Sequence, residues 1–143
     1  MSVAITVYGS AQTAGSKVSG VTKSGRRFVR DDNPSSREWK QLVSQAAGEA
    51  MNGDGLLEGP LGLDVVFVRP RPAGHFGKRG LLPSAPLHCT VRPDATKLLR
   101  AVEDALSGVI YRDDAAIVDQ RVRKLYGEPA RAEILVWRIE AAA

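Results

Sequence analysis

The chain has 143 residues, 43% apolar and 25% charged, with a formal net charge of +4. That length suits one domain with one core, spanning residues 1–143, and the composition is ordinary for a globular protein. No apolar run approaches the roughly 20 residues that span a bilayer, and the first residues lack the basic start of a secretory signal. A cytoplasmic location and no membrane partner are therefore expected.

Taken in chain order, Val3 to Tyr8 is rich in β-branched residues and alternates weakly, which predicts a strand. Gly9 to Gly25 is rich in Gly, Ser, Ala and Thr without periodicity and predicts a loop. Arg26 to Arg30 predicts a short strand. Pro34-Ser35-Ser36 opens a helix with a serine cap. Trp39, Leu42, Val43, Ala46, Ala47, Ala50 and Met51 repeat along one face of it, and Asn52-Gly53 ends it. Leu61 to Val68 predicts a strand covered on both faces.

Residues 69–92 follow, with Arg69, Arg71, Lys78, Arg79 and Arg92 and no acidic residue. His75, His88 and several prolines and glycines make this a basic loop, either a solvated surface or a lining for a phosphate backbone. A second helix is predicted from about Asp94 to Ser107. Leu98, Leu99, Val102, Ala105 and Leu106 fall within about a third of its circle, and Gly108 closes it. Ile117 to Leu125 and Arg131 to Ile139 predict two strands, joined into a hairpin by the turn residues Gly127-Glu128-Pro129. The tail 141–143 is expected to fray. The order strand-helix-strand-helix-strand-strand predicts an α+β class, two helices on a mixed sheet of about four strands. Cys89, the only cysteine, excludes an intrachain disulfide and is expected to be a small buried hydrophobe.

The acidic residues around the second helix admit two readings. Asp94 can cap the helix, and Asp113-Asp114 can be turn residues. Alternatively, Asp94 and Asp113 or Asp114 could meet, if the turn folds back along the helix, and hold a hard divalent cation for phosphodiester hydrolysis. Asp104 lies ten residues beyond Asp94, about 15 Å along a helix, and is expected to pair with Arg100 instead.

The stretch Pro93-Asp94-Ala95-Thr96-Lys97-Leu98-Leu99-Arg100, then Asp104-Ala105-Leu106-Ser107-Gly108, then Tyr111-Arg112-Asp113-Asp114-Ala115 resembles the signature of RusA-type Holliday junction resolvases. Ile5-Thr6-Val7-Tyr8-Gly9 and Gly15-Ser16-Lys17 resemble the phage-type members. The resemblance implies a homodimer that cuts branched, four-way DNA symmetrically with Mg2+ or Mn2+. It places the first catalytic aspartate on Asp94, the last on Asp114, and the family's lysine on Arg100. DNA contacts are expected from Arg69, Arg71, Lys78, Arg79, Arg92, Lys97, Arg100, Arg121, Arg123 and Lys124. The pattern departs at Thr96, where a second aspartate is expected, and at Lys97, where asparagine is usual. Three explanations follow: Asp113 supplies the missing carboxylate, a weaker magnesium site suffices, or the chain binds junctions without cutting them.

Overall fold

The computed structural model describes residues 1–13, 17–31 and 34–140. The Gly15-Ser16 part of the N-terminal resemblance and the tail 141–143 lie outside them. The chain forms β1 (Ser2–Tyr8), β2 (Lys17–Val21), β3 (Arg27–Asp31), α1 (Pro34–Met51), β4 (Leu61–Arg69), β5 (Phe76–Gly77), β6 (Gly80–Leu81), α2 (Ala95–Leu106), β7 (Ile117–Tyr126) and β8 (Arg131–Arg138). The main sheet has the order β1-β8-β4-β7. β8 is antiparallel to both β1 and β4, and β7 is parallel to β4. Two helices on a mixed four-stranded sheet make the α+β class expected from the sequence.

The core lies between the helices and one face of the sheet. Strand alternation sends Val3, Ile5 and Val7 of β1, Leu61, Leu63, Val65 and Phe67 of β4, and Ala132, Ile134 and Val136 of β8 to that face, all buried. From α2 come Leu98, Leu99, Ala101, Val102, Ala105 and Leu106, the apolar arc that the sequence marks. Burying such an arc gives a short helix the stability it lacks alone. From α1 come Trp39, Val43, Ala47 and Met51, whereas Leu42 and Ala50 are exposed. The apolar stripe of α1 is thus narrower than its sequence. Cys89 is buried.

Four local expectations change. The loop predicted over 9–25 contains β2, which pairs with β3 as a separate two-stranded sheet; its few β-branched residues gain ladder bonds only from a partner the local pattern does not reveal. Pro34 already lies in α1, so neither Ser35 nor Ser36 is the cap, and the capping position falls outside the described residues. The second face of β4 is only partly covered: Asp64 and Val66 are half-exposed. Finally, β7 and β8 form no hairpin, because β4 lies between them. β4 is the most apolar strand and takes a partner on each edge. Residues 127–130 then cross two strand spacings, roughly 10 Å, within the reach of four extended residues. The Gly127 N–H donates to the Arg69 carbonyl at 3.0 Å as the turn passes the end of β4.

On the open face, the Trp137 indole of β8 lies directly over Gly62 of β4, where any Cβ would overlap its ring. Gly62→Ala is therefore expected to destabilise the fold by about 1–3 kcal/mol through displacement of the indole. Urea unfolding measures this, and an unchanged midpoint would show that the ring is free to move.

Candidate active site

β4, α2 and β7 form a strand-helix-strand crossover. In such a unit the helix runs back against two parallel strands. The residue before the helix therefore sits at the carboxyl ends of the strands, and the residues before the second strand sit at their amino ends. Asp94 and Asp114 fall on these two positions. Asp114 lies near Asp104 of α2, ten residues on from Asp94, so the two stand roughly 15 Å apart along the helix axis. The turn does not fold back to Asp94.

At the first end, Asp94 has extended backbone (φ −68°, ψ 141°) and its side chain makes no capping bond. Only its carbonyl serves the helix, accepting from the Leu98 N–H at 3.0 Å. The exposed carboxylate lies 3.8 Å from the Lys97 ammonium. Both line a cavity of about 400 Å³ with Arg69, Arg92, Pro93 and the segment Ala11–Thr13. The Arg69 guanidinium is braced by donation to the Ala11 carbonyl at 2.7 Å. Three cations surround a single acid, so the cavity is electropositive. The Lys124 ammonium holds the approach to α2 by donating to the carbonyls of Val91 (2.8 Å) and Pro93 (3.0 Å).

At the second end, Gly108 takes φ +84° and donates its N–H to the Tyr111 carbonyl at 2.7 Å. Tyr111 is fully buried and its hydroxyl donates to the Glu103 carbonyl at 2.8 Å. That anchor fixes the next residues beside the last turns of α2. Asp113 accepts from the Ala115 N–H at 3.1 Å, so it is a turn residue as well as a candidate ligand. This bond, followed by one shared with Asp114, lowers its carboxyl below the usual range. Asp114 is raised, first by the hydrogen bond with Asp113, then by burial and by the charges of Asp113 and Asp104. Glu103 is raised by burial and then by Asp114 and Asp104. Burial, then Glu103 and Asp114, pushes the Tyr111 hydroxyl up.

Glu103 is an acidic residue at this end that the sequence reading missed. It follows Thr96 by seven residues and Arg100 by three, which puts all three on one face of α2. That spacing was the available signal. The Gln120 amide of β7 donates to its carboxylate. Asp104 does not pair with Arg100; it lies 3.5 Å from Lys40 of α1. Its direction on the helix points it at α1, and the acid-before-base order that favours such pairs along a helix is absent.

The oxygen-only acids Glu103, Asp113 and Asp114 fit a hard divalent cation in kind, since such a cation takes carboxylate oxygens. They do not fit in arrangement. Among the described residues no three His, Cys, Asp or Glu side chains form a group that could hold a metal ion, and Asp94 and Asp113 line different cavities.

The basic residues divide by location. Lys78, Arg79, Arg92, Lys97 and Arg100 are exposed along the crossover. Arg71 and Lys124 are committed to internal contacts: Arg71 lies 4.6 Å over the Tyr126 ring and donates to the Pro86 carbonyl at 2.7 Å. Strand alternation on β7 sends Arg121 and Arg123 to the face opposite the helices, where Arg123 lies 3.7 Å from Asp64.

A four-stranded mixed sheet thus carries an acid-bearing crossover helix with a basic approach. The sequence profile of the endodeoxyribonuclease RusA family matches residues 9–137. The chain belongs to that family, the RusA-type Holliday junction resolvases, endonucleases that act on branched DNA. It is also similar to a Bacillus subtilis (strain 168) protein described as "Uncharacterized protein YqaN", with 30% identity over 142 residues, 97% of this chain and 98% of that protein. No helix among the described residues is long and apolar enough to cross a membrane.

The raised carboxyls set a pH dependence. Glu103 and Asp114 keep their protons to higher pH when folded than when unfolded, so each contributes stability that falls as pH rises through and above the usual carboxylate range, whereas the lowered Asp113 contributes with the opposite sign. Glu103→Gln removes part of that slope. Urea unfolding between pH 4 and 7 is expected to show the variant gaining on the parent as pH rises. A constant difference would place Glu103 outside the acidic cluster.

Proposed function

We propose that the chain resolves four-way DNA junctions by paired, metal-dependent phosphodiester hydrolysis, as a cytoplasmic homodimer using Mg2+ or Mn2+. The observation that carries this reading is Asp94. Its carboxylate does no capping work, yet it is held among Arg69, Arg92 and Lys97 at the carboxyl ends of parallel strands, where open α/β sheets bind their ligands.

In this reading a DNA strand lies along the exposed face of α2. Its phosphates meet the basic cavity at one end and reach Arg100, midway to the acidic cluster. Lys78 and Arg79 add charge from the preceding loop, with Arg121 and Arg123 contacting a second arm. Arg71 and Lys124 support the loop that carries these contacts. Arg100 would stabilise charge on the phosphate with a planar guanidinium, where the family uses an ammonium. The cation, when bound, would polarise the phosphodiester and lower the pKa of the attacking water. Of the expected ligands Asp94, Asp113 and Asp114, the neighbouring pair Asp113 and Asp114 is proposed to hold it, and Asp94, lining a different cavity, is proposed to act at the basic end. Two-fold symmetry would set two such sites against opposed strands of a junction.

The alternative is a branched-DNA-binding protein that does not cut. Thr96, exposed on α2 where the family pattern has a carboxylate, and the lack of a gathered three-ligand group among the described residues favour it.

The test is a labelled four-way junction with Mn2+ or Mg2+. Asp94→Asn and Asp114→Asn are each expected to lower cleavage by about a hundredfold or more. Junction binding should be kept, because removing a carboxylate lessens repulsion of phosphates. In a Mn2+ titration Asp114→Asn is expected to raise the concentration needed for cleavage and Asp94→Asn to leave it unchanged. Cleavage unaffected by both substitutions overturns the assignment, and absence of cleavage by the parent chain selects the alternative. If Thr96 is what weakens the site, Thr96→Asp lowers the Mg2+ concentration needed and Thr96→Ala does not.

A further inference from the structure

Within the basic segment the chain builds a miniature hairpin with no role in the core. Phe76 pairs with Leu81 and Gly77 with Gly80, around a two-residue turn of Lys78 and Arg79. Gly80 takes φ +101°, a conformation that favours glycine. Gly77 lies under the Leu82 side chain, whose Cδ2 would meet an added Cβ at 2.8 Å. The hairpin therefore has two cations at its tip and Phe76, Leu81 and Leu82 on its flanks, 43%, 53% and 37% exposed.

Its base is fixed. The His75 ring meets Tyr126, the last residue of β7, edge-on at 5.3 Å between centroids. The Arg71 guanidinium covers the same ring at 4.6 Å. The Leu82 N–H donates to the His75 carbonyl at 2.9 Å. An exposed phenylalanine on a braced projection, within a segment holding five Lys and Arg and no acid between residues 69 and 92, is complementary to a polyanion that also offers flat apolar surfaces.

We propose that this hairpin is a wedge for the branch point of DNA: Phe76 stacks on a base exposed where the arms diverge, and Lys78 and Arg79 neutralise the phosphates flanking it. The proposal rests on the junction-binding reading above. Inside a duplex an inserted side chain must break base stacking. At a branch point a terminal base pair is held only by stacking across the junction, so the aromatic ring displaces that one neighbour at less cost than inside an arm. The wedge thus supplies preference for branched over linear DNA, which phosphate contacts alone do not provide.

The test places 2-aminopurine either at the branch point or within an arm of a four-way junction, in Ca2+ or EDTA to prevent cutting. The parent chain is expected to raise fluorescence at the branch point and leave the arm position unchanged. Phe76→Ala should lose that rise and weaken junction affinity roughly tenfold, with linear-duplex affinity and the salt slope unaltered. Phe76→Tyr should keep the rise. Lys78→Ala with Arg79→Ala should instead lower the salt slope by about 0.9 for each phosphate no longer neutralised. Circular dichroism checks that each variant folds. A bound junction with no rise, or a Phe76→Ala chain that keeps it, overturns the wedge and leaves junction binding standing. A change of oligomeric state in Phe76→Ala also overturns it, by making the apolar flank a subunit contact. Equal affinity of the parent for junction and duplex overturns junction recognition itself, and the wedge with it.

Discussion

The parallel pairing of β4 with β7 is the constraint on which the rest of the molecule depends. Parallel neighbours cannot be joined by a tight turn, so the chain must cross from one end of the sheet to the other. Residues 70–116 make that crossing. They hold the basic segment, the small hairpin, α2 and both groups of candidate catalytic acids. The apolar arc of α2 packs this connection onto β4, and Lys124 and Tyr126 of β7 anchor its loop from the neighbouring strand.

The same constraint separates charge. At the carboxyl ends of β4 and β7, Arg69, Arg92 and Lys97 surround Asp94. At the amino ends, burial and then the charges of Asp114 and Asp104 raise Glu103, and the hydrogen bond with Asp113 and then burial raise Asp114. Arg100 lies between them on the exposed side of α2. A phosphodiester strand along that face would meet attraction at one end and acids in need of a counter-ion at the other. The arrangement suits a reaction in which substrate charge and cation charge arrive together.

Much of this was legible in the residues. The apolar arc of α2, its closure at Gly108, the strand at Leu61 to Val68 and the basic segment follow from local spacing and composition, which act over a few residues. The partners of β7 and β8 were not legible, because Gly127-Glu128-Pro129 reads as a hairpin turn whether or not another strand slips between. The separation of Asp94 from Asp114 was hidden for the same reason: it follows from the direction of β7 relative to β4, which no local pattern records. Glu103 was visible in principle on the Thr96–Arg100 face, but the burial and neighbouring acids that distinguish it come from tertiary packing. The family resemblance carried over Asp94 and Asp114 and offered no counterpart for Glu103.

The central claim is that this crossover is a working nuclease site and not only a DNA-binding surface. Mapping of strand ends on an end-labelled four-way junction, incubated with the parent chain and Mn2+, addresses it most directly. Two nicks are expected, placed symmetrically across the branch point, absent from the linear duplex and absent in EDTA. A junction that is bound and shifted yet left intact over the same range of Mn2+ and Mg2+ would contradict the claim.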